Sequence, residues 1–365
     1  MKINILAIIM ALFFWSLVNA QDSLIHLNDI RILASHNSYK KFPHPKVIRF
    51  LTKFKKQLGP SNDPIQLDYG HLTLEQQLND YSIRGFELDV YYDPKGGLYR
   101  KRKLNRFICG QKVRVKDPLM KKPGFKVLHI PDVDFETNYF TFTQAITELK
   151  NWSVKNPSHS PVFVNVEAKG SSAANESKFL RIIGFKKALR MDSIAYRQLD
   201  LEINAVFDRE NLISPKDLKA SYASIKERLT IQGWPLLSDC LGKIIFVLQG
   251  DNDELYKQSL LQGDDRKMFV FDEPEGENSA FVIRNNSLGI EKEISELTKR
   301  YIIRSRTDAG TIEARKNNYT SFQSVLISNA QIISTDYYKP DLRISDFQIR
   351  LEEVSPSKPY FFRQK

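Results

Sequence analysis

Four short apolar runs in the sequence each end in residues capable of chemistry. Ile30–Ala34 leads into Ser35-His36-Asn37-Ser38-Tyr39. The second run, Arg84-Gly85-Phe86-Glu87-Leu88-Asp89-Val90-Tyr91, carries two carboxylates two positions apart. In a strand that spacing sends Glu87 and Asp89 to one face, and Phe86, Leu88 and Val90 to the other. The third, Lys126-Val127-Leu128-His129-Ile130, places another His near its end. The fourth, Val162–Lys169, repeats the two-residue device, so Asn165, Glu167 and Lys169 share a face. Taken singly, each fragment reads as well as a turn or a solvated strand face. Taken in order, Asn37, Glu87, Asp89 and Glu167 form a hard, oxygen-rich donor set. It suits Ca2+, with Mg2+ as the alternative, better than Zn2+. Paired carboxylates on a buried face repel, and need a cation, a proton or strong donors. His36 and His129 are left for proton transfer. Lys169 can pair with Glu167 or hold a phosphate. This suits phosphodiester cleavage. A cation neutralises the phosphate oxygens and acidifies the attacking hydroxyl, one His assists the pentavalent centre, and the other protonates the leaving alkoxide.

Further along, Arg304, Arg306 and Asp308 follow Tyr301–Ile303, and Ser334-Thr335-Asp336-Tyr337 closes the last apolar run. Arg304 can bind substrate through a phosphate, and Asp336 can shape the pocket. Salt bridges closing the fold account for both equally well. His26, His44, His71 and His159 read as surface residues, with His71, just before a helix near the site, as the exception. Trp152 and Trp234 read as packing residues. No serine sits in a nucleophile-elbow pattern, which disfavours a serine hydrolase.

These residues need a frame that gathers strand ends. Strand candidates are Ile30–Ala34, Ile83–Tyr91, Phe125–Ile130, Pro161–Glu167, Asn211–Ser214, Lys243–Leu248, Tyr301–Ser305 and Gln331–Thr335. Helix-like stretches fall between them: Leu72–Tyr81 with Thr73 as a cap, Phe142–Asn151 after Thr141, Glu176–Leu189, Ser193–Phe207, Pro215–Leu229 and Thr311–Ser328. The alternation predicts an α/β architecture with parallel strands, and eight strands predict a distorted (β/α)8 TIM barrel. Met268–Phe271 and Ala280–Ile283 are spare runs, readable as a hairpin or as a replacement for one strand. Segments of about 38–71 and 92–124 exceed ordinary βα loops and would rise over the face where barrel active sites form.

The chain has 365 residues, 42% hydrophobic and 27% charged, a globular composition. Its two cysteines, Cys109 and Cys240, exclude a cysteine-rich zinc module and a disulfide-dense scaffold, and allow one intramolecular bridge. Met1–Ala20 has the pattern of a signal peptide cleaved after about Ala20, so a secreted or periplasmic protein is expected, with 21–365 as a single catalytic domain. The formal net charge is +11, concentrated in two places. Lys40–Lys56 carries seven cations and no acid, and Arg100–Lys126 carries eleven cations against Asp117, so the remainder is mildly acidic. Such runs are usually solvated. Their position directly after the strands bearing the candidate site points instead to an anionic substrate or membrane surface. No recognised nucleic-acid motif accompanies them, and nucleic acid is not expected as a partner. A monomer is expected.

The stretches His36-Asn37-Ser38-Tyr39, Gly85–Val90, Leu128-His129, Asn165–Lys169, Gly242–Leu248, Arg304–Asp308 and Ala330–Tyr337 run from the first strand to the last. In them the chain resembles the phospholipase C-like phosphodiesterase superfamily, and within it the exported bacterial Ca2+-dependent phosphoinositide-specific phospholipases C. The resemblance implies Ca2+ held by Asn37, Glu87, Asp89 and Glu167, with His36 and His129 in acid/base and transition-state roles and Lys169 on phosphate. It also implies a phosphatidylinositol-type substrate, attack by the inositol 2-hydroxyl, and release of diacylglycerol and a cyclic inositol phosphate. The basic insertions depart from the core pattern and leave the headgroup open. A glycerophosphodiester phosphodiesterase shares much of the layout but usually has Arg-Gly where Asn37 follows His36. An inactive lipid- or glycan-binding barrel is the alternative of another class, against which both His and all four oxygen donors stand.

Overall fold

The computed structural model describes residues 25–59, 62–263, 265–351 and 359–362. The leader reading of Met1–Ala20 lies outside them. Eight parallel strands form the frame: β1 (Ile30–Ser35), β2 (Gly85–Asp93), β4 (Val162–Lys169), β5 (Ile244–Gly250), β6 (Met268–Val270), β7 (Phe281–Ile283), β8 (Ile302–Arg306) and β9 (Ile332–Thr335). Their order is β6-β5-β4-β2-β1-β9-β8-β7. A parallel bridge between Phe271 and Phe281 brings the two ends together, so the barrel is nearly closed. Two further strands lie off this path. β3 (Gly124–Val127) runs antiparallel to β2, and β10 (Phe361–Phe362) runs antiparallel to β1.

The count of eight therefore holds with different members. Phe125–Ile130 does not join the barrel: the long connection 94–123 returns the chain antiparallel to β2, with Asp93 paired to Gly124 and Val90 to Val127, and His129 lies in the loop beyond it. Asn211–Ser214 makes only one bridge, Leu212 to Ile244. The two spare apolar runs, β6 and β7, take the vacated places. The predicted helix at 72–81 appears as Leu74–Asp80, with Thr73 accepting from Gln76 N–H, and Thr141 caps Phe142–Lys155 in the same way. Glu176–Leu189 forms only short turns of helix, Ala173–Glu176 and Lys178–Ile182.

Alternation along the strands builds two cores. Phe86, Leu88 and Val90 of β2 and Val162, Val164, Val166 and Ala168 of β4 point outward into the layer that contains Ile146, Leu149 and Leu199 of the surrounding helices. The opposite faces meet inside the barrel. Its lower half is apolar, with Ile32, Ala34, Phe163, Val247, Phe269, Phe281, Ile302 and Ile332 in one cluster. Gly85 sits there because a Cβ would stand 2.5 Å from that of Ala34. One step higher on the same faces, the side chains become polar: His36, Glu87, Asp89, Asn165, Glu167, Arg304 and Asp336. An apolar floor under a polar upper layer is what positions the site.

Candidate active site

Strand register sets the carboxylates. Glu87 pairs with Asn165, Asp89 with Glu167 and Tyr91 with Lys169 across β2 and β4. Glu87, Asp89 and Glu167 each offer an oxygen within 4.8 Å of the others. Asp89 is wholly buried, and neither of its oxygens has a hydrogen-bond partner. Its nearest cation is Lys169 Nζ, at 3.4 Å, and Lys169 also bonds Glu167. Burial first, then the negative charge of Glu167, pushes the Asp89 carboxyl well above its usual range. Burial acts upward on Glu87 too, but the Arg304 charge, with that of Arg306 behind it, outweighs it and holds that carboxyl below its usual range.

Asn37 stands in the turn after β1 with φ 47°, a left-handed conformation that Asn tolerates. Its Nδ2 donates to the Tyr69 hydroxyl at 2.7 Å. Its Oδ1 has only a long contact from Tyr39, at 3.5 Å, and so retains acceptor capacity. Asn165 Nδ2 donates to Glu87 at 3.1 Å, while its Oδ1 is buried without a partner. Orphaned carboxylate and amide oxygens in one buried layer are the donor chemistry that a hard divalent cation satisfies. Arg304 bonds Glu87 and donates to Asn285 Oδ1 at 3.2 Å and to Ser334 Oγ at 3.3 Å. It thus occupies the salt-bridged arrangement open from the sequence.

His36 turns Nδ1 to Asp336 at 2.8 Å, so Nδ1 carries the hydrogen and Nε2 its lone pair. Nε2 lies 3.3 Å from an Arg306 nitrogen and 3.3 Å from Glu87 Oε1. Arg306 also holds Asp336, at 3.1 Å. Burial, then the Arg306 charge, holds the His36 pKa well below its usual value and keeps the ring neutral. His129 turns Nδ1 to Asp134 at 2.9 Å, and Lys40 pairs with the same carboxylate at 3.3 Å. The backbone carbonyls behind both rings are held, that of His36 by His71 Nε2 at 2.8 Å and that of His129 by the Tyr91 hydroxyl at 3.0 Å.

The residues named from sequence fall in or beside one polar layer. Those it missed are Asp134, Tyr69 and the buried role of Lys40. Lys40 is fully enclosed, donating to the carbonyls of Leu67 and Tyr69, rather than part of a solvated basic run. His159 corrects the surface reading. It is buried on Trp152 and bonded to Ser153 and to the Ser160 carbonyl. Trp152 and Trp234 are buried packing residues as expected. Cys109 is exposed and Cys240 buried, and neither is bridged.

Residues 25–359 match the family described as phosphoinositide phospholipase C, Ca2+-dependent. The chain belongs to that family. Its members are phosphodiesterases, and the acidic triad is consistent with the calcium dependence in the family's description. Among solved structures, the chain resembles a calcium-dependent phosphoinositol-specific phospholipase C from the Gram-negative bacterium Pseudomonas sp. That match has 17% identity, 93% of this chain and 96% of that chain, and a TM-score of 0.53. A myo-inositol complex from Pseudomonas sp. matches at 17%, over 90% and 94%, with a TM-score of 0.52. A Ca2+-dependent phosphatidylinositol-specific phospholipase C from Streptomyces antibioticus matches at 14%, over 86% and 95%, with a TM-score of 0.51. At these identities the likeness establishes the barrel fold. No curated protein matches the chain. Among the described residues, no helix is long and apolar enough to cross a membrane.

Proposed function

We propose that this family member cleaves phosphatidylinositol-type lipids at the glycerol-side phosphate bond, giving diacylglycerol and an inositol phosphate that is first cyclic. The observation that carries the reading is the buried, undonated carboxylate of Asp89 beside Glu87 and Glu167, together with two His–Asp pairs, in one of which His36 touches Glu87 at 3.3 Å. Asn37, Glu87, Asp89 and Glu167 are the residues that would hold Ca2+. Bound there, the ion would neutralise phosphate oxygens and ease ionisation of the attacking hydroxyl. His36, neutral with its lone pair on Nε2, accepts the proton of the inositol 2-hydroxyl. Asp336 fixes that tautomer. His129 passes a proton to the leaving diacylglycerol oxygen, with Asp134 fixing its ring. Lys169 and Arg306 face the phosphate, and Arg304 keeps Glu87 ionised and oriented.

Turnover of phosphatidylinositol in the presence of Ca2+, its loss with chelator, and inactivity on glycerophosphocholine are the expected outcomes. Cleavage of glycerophosphocholine alone would move the protein to the glycerophosphodiesterases. Binding of phosphatidylinositol with no turnover would make it a lipid-binding barrel. His36→Ala and His129→Ala should each remain folded and lose at least about a hundredfold in rate. Wild-type turnover by either variant removes that residue from the chemistry.

Export and peripheral contact with an anionic bilayer complete the reading. The contact is supported by the helices Pro45–Thr52 and Lys55–Leu58, where Arg49, Lys53 and Lys56 are exposed beside Phe54 and Leu58. Neutralising those three cations should weaken binding to anionic vesicles at low salt by roughly a hundredfold, at about 1 kcal/mol each. Unchanged vesicle affinity would return the segment to an ordinary solvated face.

A further inference from the structure

The connection between β2 and β3 carries charge that the phosphodiesterase site does not use. Within it the chain doubles back. Arg102 N–H donates to the Val113 carbonyl at 2.6 Å and Val115 N–H to that of Arg100 at 3.0 Å, so Lys101 and Arg114 face each other as a bridge pair. Cations set opposite each other in this way repel. Together with Lys95, Arg100 and Lys186 they line a cleft of about 620 Å3 beside the end of β2. The one acid in its wall, Asp93, is already engaged. Lys126 Nζ lies 3.3 Å from it, and Leu98 N–H donates to it at 3.2 Å. Among the described residues, none of the five lining cations forms an ion pair.

The cleft is preformed. Gly96 has φ +73°, and a Cβ there would stand 2.0 Å from the Lys121 carbonyl oxygen, so the loop packs tightly on its neighbour. Asp132 joins the two loops that supply the cations, accepting from Lys103 N–H at 3.1 Å and Lys186 N–H at 2.7 Å. Lys103, at the edge, registers the local field: burial, then Arg106 and Lys101, draw its pKa down. No aromatic side chain lines the cleft, so a nucleic-acid base would find no stacking platform.

We propose that this cleft is a second anion site, distinct from the phosphodiesterase centre, which takes a phosphate-bearing polyanion. Both a phosphomonoester lipid headgroup and a free polyphosphate have that chemistry. A rigid wall of Arg and Lys without competing acid matches several phosphate oxygens at once. The proposal does not depend on the phospholipase reading, since binding needs neither His36 nor the carboxylates.

The test is calorimetric titration of the full chain with inorganic pyrophosphate at low salt, with chelator present to keep calcium out. K101A/R114A should bind at least about tenfold more weakly. K95Q/K186Q should show a comparable loss, which guards against misfolding in one variant. K216A/K219A, which removes equal charge at the opposite end of the barrel, should bind like wild type. Turnover of a monomeric water-soluble substrate by K101A/R114A should be unchanged. Phosphatidylcholine vesicles doped with phosphatidic acid separate the sources. Displacement of bound protein by pyrophosphate assigns the site to a lipid headgroup, and its absence to a free anion. No pyrophosphate binding by wild type, wild-type affinity in K101A/R114A, or an equal loss in K216A/K219A would overturn the proposal.

Discussion

His36 and His129 each turn Nδ1 toward a carboxylate, at 2.8 and 2.9 Å, but one carboxylate is 300 residues away in sequence and the other five. Asp336 reaches His36 because β1 and β9 are neighbours in the barrel, with Ser35 paired to Thr335. Asp134 reaches His129 through a tight loop, where Ile130 and Asp134 bridge back on each other. The far ends of the rings differ more. Nε2 of His36 is hemmed in by Arg306 and Glu87, whereas Nε2 of His129 has no protein partner among the described residues. A ring fixed on both sides in the barrel wall suits a proton acceptor whose position must not vary. A ring fixed on one side, in a loop at the rim, suits delivery of a proton to a departing group that moves away.

The largest effect should come from Asp336→Asn. An amide NH2 facing Nδ1 would move the hydrogen to Nε2 and remove the lone pair, and Arg306 would keep an amide oxygen to donate to but lose its counter-charge. A fall of about 10^3 to 10^4 in kcat with a folded protein is expected, by analogy with tautomer reversal in other His–Asp pairs. Asp134→Asn should cost less, roughly 10^2 to 10^3, because the His129 ring keeps its free side and Lys40 keeps two carbonyl partners. Steady-state kinetics on both variants decide the matter. Equal losses would mean that the two mounts do the same job, and the division of roles would fall.

The same contrast explains what could be read in advance. Glu87, Asp89, Asn165 and Glu167 were legible because period-two spacing in an apolar strand declares a shared face. Their outward partners, Phe86 and Val164, declare the other. Asp134 was not legible, since nothing in Pro131-Asp132-Val133-Asp134-Phe135 says which acid turns toward His129. Asp336 was visible only as a pocket residue, because its partnership depends on barrel closure. β6 and β7 are three residues each, too short to show a period, and so were separable from a hairpin only by their parallel register. Charge counting likewise could not tell that Lys40 and Lys126 are buried while Lys53 and Lys56 are exposed.

The smallest effect concerns the groups behind the rings. His71 supports the His36 carbonyl, and Tyr91 supports that of His129. Only the first support changes its protonation below neutrality. Burial lowers the His71 pKa to about 4, with the Asp336 charge acting in the opposite direction. The unfolded chain therefore takes up a proton near pH 6.5 that the folded chain refuses until about pH 4. Where the unfolded state binds more protons, stability rises with pH, so stability is lost as pH falls through this window. The loss reaches about 3 kcal/mol once both states are protonated. His71→Gln keeps a donor for the carbonyl but cannot take up the proton. Its melting temperature should fall below that of wild type near pH 7 and draw level with it or pass it as pH approaches 4. Tyr91→Phe should lower the melting temperature by a similar amount at every pH in that range. Parallel curves for wild type and His71→Gln would show that the His36 mount is no more pH-sensitive than its counterpart at the rim.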